Sequence, residues 1–331
     1  MTDRRLDVLA IGNAIVDVIV DSSDAALARE GMAKGSMRLI DEAEAIRLYA
    51  EMGPGREASG GSAANTVAGM AALGCRTGFI GQLADDQLGA IFAHDIRGLG
   101  VEFDTPARNG IGATGVCLIL VTPDAQRTMN THLGAAQRLG EDSVDGALIA
   151  SARIVYLEGY LWDPEQPREA MRKAIRTARE AGTRVAFTLS DGFVVDRHRA
   201  DIDALIGEGA IDILFANEPE AMALTGAADF EHAVAAIADR VATAVITRGE
   251  QGAIALRGEQ RAHVDAEPIE SLVDTTGAGD LFAAGFLTGE ARGLGLDASL
   301  RLGAIAAGEV IQHYGARPQA DLKALAGDLL G

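Results

Sequence analysis

The chain has little positive charge, little cysteine and no long apolar run. Its 331 residues contain 29 Lys and Arg against 48 Asp and Glu, a net charge of −19, so its overall field repels nucleic acid and anionic membranes. No segment reaches the roughly 18–20 uninterrupted apolar residues that a bilayer-spanning helix needs. The two cysteines, Cys75 and Cys117, exclude a disulfide framework or a structural zinc site, and their apolar surroundings predict buried, inert thiols. We expect a cytoplasmic protein with no nucleic-acid or membrane partner.

Several catalytic signatures are also missing. The sequence has no Walker A motif, no H-E-x-x-H, no G-x-S-x-G and no protein-kinase motif set, and its six histidines lack metal-ligand spacing. A G-x-G-x-x-G match at 110–115 precedes an apolar strand-like run instead of opening a helix, so a dinucleotide-dependent dehydrogenase is disfavoured and a flexible turn is the simpler interpretation.

Short apolar runs alternate with helical patterns along most of the chain. Strands are predicted at 7–11, 15–20, 77–82, 116–121, 154–157, 184–189, 211–216, 244–247, 253–256 and 269–273. Helices are predicted at 164–181, 196–207, 219–225, 230–241, 280–292 and 298–313. This alternation predicts a single α/β domain over 1–331, with a doubly wound, mostly parallel sheet and helices on both faces. The segments 15–20, 31–40 and 106–130 predict a small antiparallel β lid beside it.

A glycine-rich turn at 274–280 is the strongest functional signal. The backbone N–H groups of Gly277, Ala278 and Gly279 can converge on an anion, and the helix that follows adds its positive end. Asp280 lies in the first helical turn, where a carboxylate commonly stabilises the helix dipole. Beside an anion site, the same carboxylate can accept the proton of an attacking hydroxyl.

A second glycine turn opens a helix of small residues near the N-terminus. Gly60 and Gly61 allow the backbone to approach a ligand, and Asn65 is a costly choice for packing alone. Asn13 and Asp17 add an amide and a carboxylate near a strand start. Both groups of residues have an ordinary structural explanation: Asn65 as a displaced helix cap, and Asp17 as a turn residue. The alternative is hydrogen bonding to a polyhydroxyl ligand, with Asp17 accepting from two neighbouring hydroxyls.

These motifs together resemble the PfkB, or ribokinase, family of carbohydrate and nucleoside kinases. Both family signatures are present, and the segments between them follow in the same order: Gly60-Gly61-Ser62-Ala63-Ala64-Asn65, Asn217-Glu218-Pro219-Glu220, Thr247-Arg248-Gly249-Glu250-Gln251-Gly252 and Asp274-Thr275-Thr276-Gly277-Ala278-Gly279-Asp280. The resemblance implies a ribokinase-like fold with a β lid, ATP and Mg²⁺ as cofactors, and a catalytic base at Asp280 in an anion hole.

The resemblance also implies roles for the nucleotide side of the site. Asn217 and Glu220 would organise Mg²⁺ through water; without the family, they form a helix start with a capping carboxylate. A monovalent cation such as K⁺ near Asp274 is compatible with the family. The residues that would line the nucleotide are Thr247, Gly249, Gly252, Thr276 and Gly279.

The acceptor side is similar to the adenosine-kinase branch of the family. Asn13 and Asp17 lie in a segment of that type, and with Gly60, Gly61 and Asn65 they would bind ribose. Arg127 would reach the transferring phosphate. The residues that would border a base are Leu133, Ala135 and Phe193.

The resulting hypothesis is an ATP-dependent nucleoside 5′-kinase, a monomer or homodimer, with adenosine as the preferred acceptor. The alternatives are a PfkB-type sugar kinase acting on ribose, fructose or 2-keto-3-deoxygluconate, and a non-catalytic nucleoside-binding sensor.

Overall fold

The computed structural model describes residues 4–124 and 126–330. Within them, strands form a nine-stranded and a five-stranded sheet. The strands are β1 Leu6–Ile11, β2 Ile15–Asp21, β3 Met37–Leu39, β4 Arg56–Gly60, β5 Thr77–Ile80, β6 Val101–Glu102, β7 Gly115–Val121, β8 Arg127–His132, β9 Ala152–Glu158, β10 Arg184–Thr188, β11 Ile213–Asn217, β12 Thr243–Thr247, β13 Ala253–Arg257 and β14 Gln260–Val264.

The larger sheet has the strand order β14-β13-β12-β11-β10-β9-β1-β5-β6. From β12 to β6 the pairings are parallel, while β13 and β14 add an antiparallel edge. The central strands are continuous apolar runs because helices cover both faces, as in β1, where only Asp7 is not fully buried. The doubly wound, mostly parallel sheet predicted from the sequence is confirmed.

Helices pack on both faces of this sheet in two separate apolar cores. One core includes α3, α4, α10 and α11, and the other includes α5 to α9. The helices are α1 Asp24–Arg29, α2 Glu42–Glu51, α3 Ser62–Ala72, α4 Gln87–Gly98, α5 Gly146–Ser151, α6 Glu165–Glu180, α7 Gly192–Gly207, α8 Glu218–Thr225, α9 Phe230–Ala238, α10 Ala278–Arg292, α11 Leu296–Val310 and α12 Leu322–Ala326.

The smaller sheet has the order β3-β8-β7-β2-β4. It draws on the three segments expected to form a lid and on β4, which the sequence did not predict as a strand. The expected antiparallel arrangement is only half right: β7–β8 and β2–β4 are antiparallel, but β2–β7 and β3–β8 are parallel. Because β2 follows β1 after three residues, the chain passes from the larger sheet to the smaller one immediately beside the site described below.

The prediction of a strand at 269–273 is wrong. This segment has no regular structure, and the amides of Val273 and Asp274 instead donate to the carbonyl of Ile311 at the end of α11. A short apolar run has the same sequence pattern whether it forms a strand or packs against the end of a helix. Cys75 and Cys117 are buried and unpaired, as expected. No helix in the described ranges is long and apolar enough to cross a membrane.

Candidate active site

The strand order of the larger sheet reverses at β1, and this places a crevice between β1 and β9. Chain segments leave β1 toward β5 on one side and the later strands build outward from β9 on the other. In open α/β sheets, ligands bind at such a switch point, outside the carboxyl ends of the strands. Asn13 follows β1 here, and Glu158 ends β9.

Glu158 joins these two strand ends to the start of α3. Its Oε1 accepts hydrogen bonds from the Asn13 amide at 2.7 Å and from Asn13 Nδ2 at 2.6 Å, and its Oε2 accepts from the Ala63 amide at 2.8 Å. The side chain is completely buried, and burial raises its pKa to about 7 despite these three donors. The sequence analysis missed Glu158; the only signal was one acidic residue ending an apolar strand.

Asn13 is oriented by Glu158 and keeps one atom free. Its Oδ1 is buried and has no hydrogen-bond partner among the described residues. A buried acceptor without a donor is costly unless a ligand or water satisfies it. The predicted ligand role of Asn13 is consistent with this geometry.

Asp17, on β2, lies beside the Gly60-Gly61 turn. A Cβ atom at Gly60 would lie 2.5 Å from the Asp17 carboxyl group, so only glycine leaves room for it. Gly61 has a φ of 99°, and a Cβ there would lie 2.2 Å from the Asn13 carbonyl oxygen. The two glycines therefore let the turn pack directly against Asn13 and Asp17.

The Asp17 carboxylate accepts no hydrogen bond from the part of the chain that the structure describes. Burial raises its pKa to about 6, the nearby charges of Arg317 and Arg127 oppose that rise, and the charge of Asp280 adds to it. An unpaired, half-buried carboxylate of this kind can accept hydrogen bonds from ligand hydroxyls.

Asp280 lies at the start of α10 and contacts the start of α3. Its Oδ1 accepts a hydrogen bond from Ser62 Oγ at 2.6 Å, and its Oδ2 accepts from Asn65 Nδ2 at 2.9 Å. Burial raises the pKa of Asp280, while these two donors and Arg317 pull it down. Asn65 Oδ1 is a second buried oxygen without a donor in the described chain. The structure thus brings Asn65 and Asp280, 215 residues apart, into direct contact.

The amides at the start of α10 are only partly free. Gly277 precedes the helix with no side-chain cap, and neither its amide nor that of Gly279 donates to a described residue. The Ala278 amide, which the sequence placed in the anion hole, donates to the Thr275 carbonyl at 3.1 Å. Gly279 is exposed, with open space where a Cβ would lie. The helix start can therefore offer free amides to an anion, but the Ala278 amide would first have to leave Thr275.

Arg127 and Asp274 lie against each other, a contact that the sequence did not predict. Arg127 Nη1 is 2.7 Å from Asp274 Oδ2, and both side chains are 5% exposed. The guanidinium also lies over the Tyr314 ring, 5.4 Å from its centroid. In this conformation the guanidinium faces Asp274, but Arg127 Nε, Nη1 and Nη2 make no hydrogen bond with the described residues. The phosphate role of Arg127 and a cation at Asp274 stay predictions.

Asn217 and Glu220 form a complete capping box at the start of α8. The Glu220 carboxylate accepts from the Asn217 amide and from Nδ2, while Asn217 Oδ1 accepts from the Glu220 amide. Burial raises the pKa of Glu220 to about 7. Within residues 4–124 and 126–330, no group of three or more His, Cys, Asp or Glu side chains could hold a metal ion. The structure thus shows Asn217 and Glu220 as a helix cap, and their contact with a hydrated Mg²⁺ stays a prediction.

The other nucleotide-side candidates lie at the same edge of the larger sheet. Thr247 ends β12 and is level with Asn217 of β11 in the strand register. Gly249 is exposed in the following turn, and Gly252 is buried where that turn meets the end of β14. The amide of Thr276 donates to Asp274 Oδ1 at 3.0 Å, which shapes the loop before α10.

The residues predicted to border a base lie in two separate segments, and their role stays a prediction. Ala135 is completely buried and its amide donates to Ala113, so a ligand could touch it only if this segment moved. Leu133 is partly buried nearby. Phe193 lies at the start of α7, where it packs near Tyr160 and under the Arg197 guanidinium.

Arg317 is a second residue that the sequence analysis missed. Its guanidinium donates to the carbonyl of Ala64 at 3.0 Å, and to the carbonyl and Oγ of Ser59 at 2.6 and 2.9 Å. It therefore holds both ends of the Gly60-Gly61 turn, while its charge favours ionised Asp17 and Asp280. Nothing in the sequence around it signals this position.

Comparison with known proteins decides the family. A model described as pfkB family carbohydrate kinase matches residues 42–322. The chain belongs to this family. As a PfkB kinase it is a phosphotransferase whose acceptor group is a hydroxyl. The free amides at the start of α10 and the neighbouring Asp280 carboxylate are compatible with this chemistry.

Similar proteins include both nucleoside and sugar kinases. A probable sugar kinase from Rhizobium etli is 46% identical over 98% of both chains, with a TM-score of 0.91. An adenosine kinase from Sinorhizobium meliloti is 47% identical over 97% of this chain and 98% of its own, with a TM-score of 0.90. An ATP-dependent ribose-1-phosphate kinase from Halopiger xanaduensis is 32% identical, covering 70% of this chain and 73% of that protein.

Proposed function

We propose that this PfkB-family kinase transfers the γ-phosphoryl group of Mg-ATP to the 5′-hydroxyl of a nucleoside, with adenosine as the preferred acceptor. The observation that carries the proposal is the set of unsatisfied oxygens around Asp280. Within residues 4–124 and 126–330, no donor reaches the buried Oδ1 atoms of Asn13 and Asn65 or the carboxylate of Asp17. Hydroxyl groups supply donors, so a ribose with several hydroxyls would satisfy oxygens that the protein leaves without partners.

The reaction assigned to Asp280 is general-base catalysis. The carboxylate takes the proton of the acceptor hydroxyl as its oxygen bonds to the γ-phosphorus, and the bond from that phosphorus to the β–γ bridging oxygen breaks to release ADP. The raised pKa of Asp280 makes it a stronger base than an exposed aspartate. Ser62 and Asn65 hold its two oxygens in place.

The phosphates are assigned to the start of α10. The free amides of Gly277 and Gly279 and the positive end of the helix stabilise the charge on the migrating group. Mg²⁺, when bound with ATP, neutralises phosphate charge, and Asn217 and Glu220 would contact its waters. The smaller sheet, which carries Asp17, would close over the acceptor as a lid and exclude water.

A sugar acceptor is the second candidate, and one observation favours it. A cavity of about 520 Å³ is lined in part by Gly134, the residue after Leu133, which is predicted to border a base. Its lining is mostly polar or charged, whereas a purine is usually bound by apolar or aromatic side chains. The lining includes Glu42, Arg108, His132, Gln137, Arg138 and Gln166.

The deciding experiment compares acceptors with the purified enzyme and Mg-ATP, measuring ADP release and identifying the product. The panel is adenosine, inosine, ribose, fructose, 2-keto-3-deoxygluconate and ribose 1-phosphate. We expect kcat/KM for adenosine to exceed that for every sugar by about 100-fold, because losing the base removes a whole set of contacts. A sugar as the best acceptor would overturn the nucleoside assignment, and tight adenosine binding without turnover would identify a sensor.

A further inference from the structure

The buried pair of Arg127 and Asp274 connects the two sheets at the loop that opens the phosphate site. Arg127 begins β8 in the smaller sheet, and Asp274 lies in the loop between the larger sheet and α10. The pair forms where the smaller sheet lies against the body, because Arg127 belongs to that sheet and Asp274 to the loop before α10.

Asp274 also determines the shape of this loop. Its Oδ1 accepts from the Thr276 amide at 3.0 Å, its Oδ2 accepts from the Gly315 amide at 3.3 Å, and its own amide donates to the Ile311 carbonyl. These hydrogen bonds connect the loop before Gly277 to the segment after α11. A buried carboxylate is costly unless a positive group or hydrogen-bond donors compensate its charge.

Arg127 provides that counter-charge from within the chain. Its Nη1 lies at ion-pair distance and Tyr314 packs under the guanidinium plane. The guanidinium makes no hydrogen bond with the described residues, so it acts on Asp274 through its charge. A free monovalent cation at the same oxygen would lie beside the guanidinium and be repelled by it.

We propose that Arg127 is a positioning residue that serves Asp274 as a built-in cation, so that closing the smaller sheet sets the shape of the glycine loop and the enzyme needs no added monovalent cation. This inference rests on the proposed phosphate role of the loop but not on which acceptor is used. It replaces the cation site that the sequence led us to expect at Asp274.

The test measures two quantities in KCl, NaCl and tetramethylammonium chloride at equal ionic strength. The first is the affinity for a non-hydrolysable Mg-ATP analogue, determined by calorimetry, and the second is kcat and KM with the best acceptor. For the wild-type protein we expect both to vary less than about twofold among the salts, because the cation position is already filled. A rise of about tenfold or more in KCl would overturn the proposal.

Three variants separate this role from simple stabilisation. Arg127→Gln should lower kcat about tenfold in tetramethylammonium chloride and regain part of that loss in KCl, since a small cation can then approach Asp274. Arg127→Lys, which keeps a positive charge, should respond to KCl less than Arg127→Gln. The matched control is Arg184→Gln, which breaks a 2.8 Å ion pair with the buried Glu290 at a distance from the site; it should gain no KCl response.

The outcomes remain distinguishable from failure of the proposed function. If no acceptor is phosphorylated, the nucleotide analogue still reports whether its affinity depends on the salt. If Arg127→Gln does not fold, the wild-type salt comparison alone decides. An Arg127→Gln protein that folds and shows wild-type kcat without any KCl response would refute the positioning role.

Discussion

Replacing Glu158 by Gln should remove one identifiable part of the pH dependence of stability. In the folded protein Glu158 has a pKa of about 7, against an ordinary value of 4.5. Between these two pH values the folded state holds a proton that the unfolded chain has released. A raised carboxyl pKa therefore contributes stability that is fully present below pH 4.5 and is lost as pH rises through 7.

The size of the effect follows from proton linkage. One extra bound proton lowers the free energy of unfolding by about 1.4 kcal/mol per pH unit, or about 3 kcal/mol over this window. Glu158→Gln lacks this contribution. Asp17 and Glu220, whose pKa values are also raised by burial, titrate in both proteins and cancel in the comparison.

The assay is urea unfolding at several pH values from 4.5 to 8 for the wild-type protein, Glu158→Gln and the control Glu208→Gln. Glu208 is exposed, so its substitution removes the same charge without a buried network. Relative to wild type, Glu158→Gln should gain about 3 kcal/mol from the lowest to neutral pH, and the control should gain almost none. A constant difference at every pH would refute the account of Glu158 as a buried acid held by Asn13 and Ala63.

Three further predictions concern catalysis. Asp280→Asn should lower kcat by about 10²- to 10⁴-fold while calorimetry shows unchanged Mg-ATP binding, and near-normal turnover would remove the base assignment. Gly60→Ala should raise the acceptor KM by about tenfold, because its Cβ would meet the Asp17 carboxyl group at 2.5 Å; an unchanged KM would show that Asp17 does not hold the acceptor. The acceptor KM should also rise as pH falls through about 6, because Asp17 then becomes protonated and accepts hydrogen bonds from the acceptor hydroxyls less well. Asp17→Asn should abolish this pH dependence of KM. A wild-type KM that does not change with pH would contradict the role of Asp17.

The body of the fold was predictable because its strands are covered on both faces. Runs such as that of β9 are apolar at nearly every position, which only burial between helices explains. β4 was not predictable, since Arg56–Gly60 contains no strong β-former and becomes a strand through its pairing with β2. The local sequence of β4 does not indicate that it pairs with β2.

The candidate site divides in the same way. Gly60, Gly61 and Asp280 can be recognised from the local sequence, because each lies in or beside a glycine turn that opens a helix. The contacts of Glu158 with Asn13 and of Arg127 with Asp274 span 145 and 147 positions along the chain, and each side chain alone resembles an ordinary surface charge. Only the folded chain shows that they are buried together.

The placement of proposed acceptor and catalytic residues in different sheets has an evolutionary consequence. Asp17 belongs to the five-stranded sheet, whereas Asp280 and the amides of α10 belong to the nine-stranded body. If the proposed roles hold, sequence drift in the smaller sheet alters one part of the acceptor site, at Asp17, while Asn13, Asn65 and the transfer chemistry are inherited with the body. One scaffold could in this way diversify into kinases for quite different metabolites, and grafting that unit between relatives would be a direct route to exchanging their preferences.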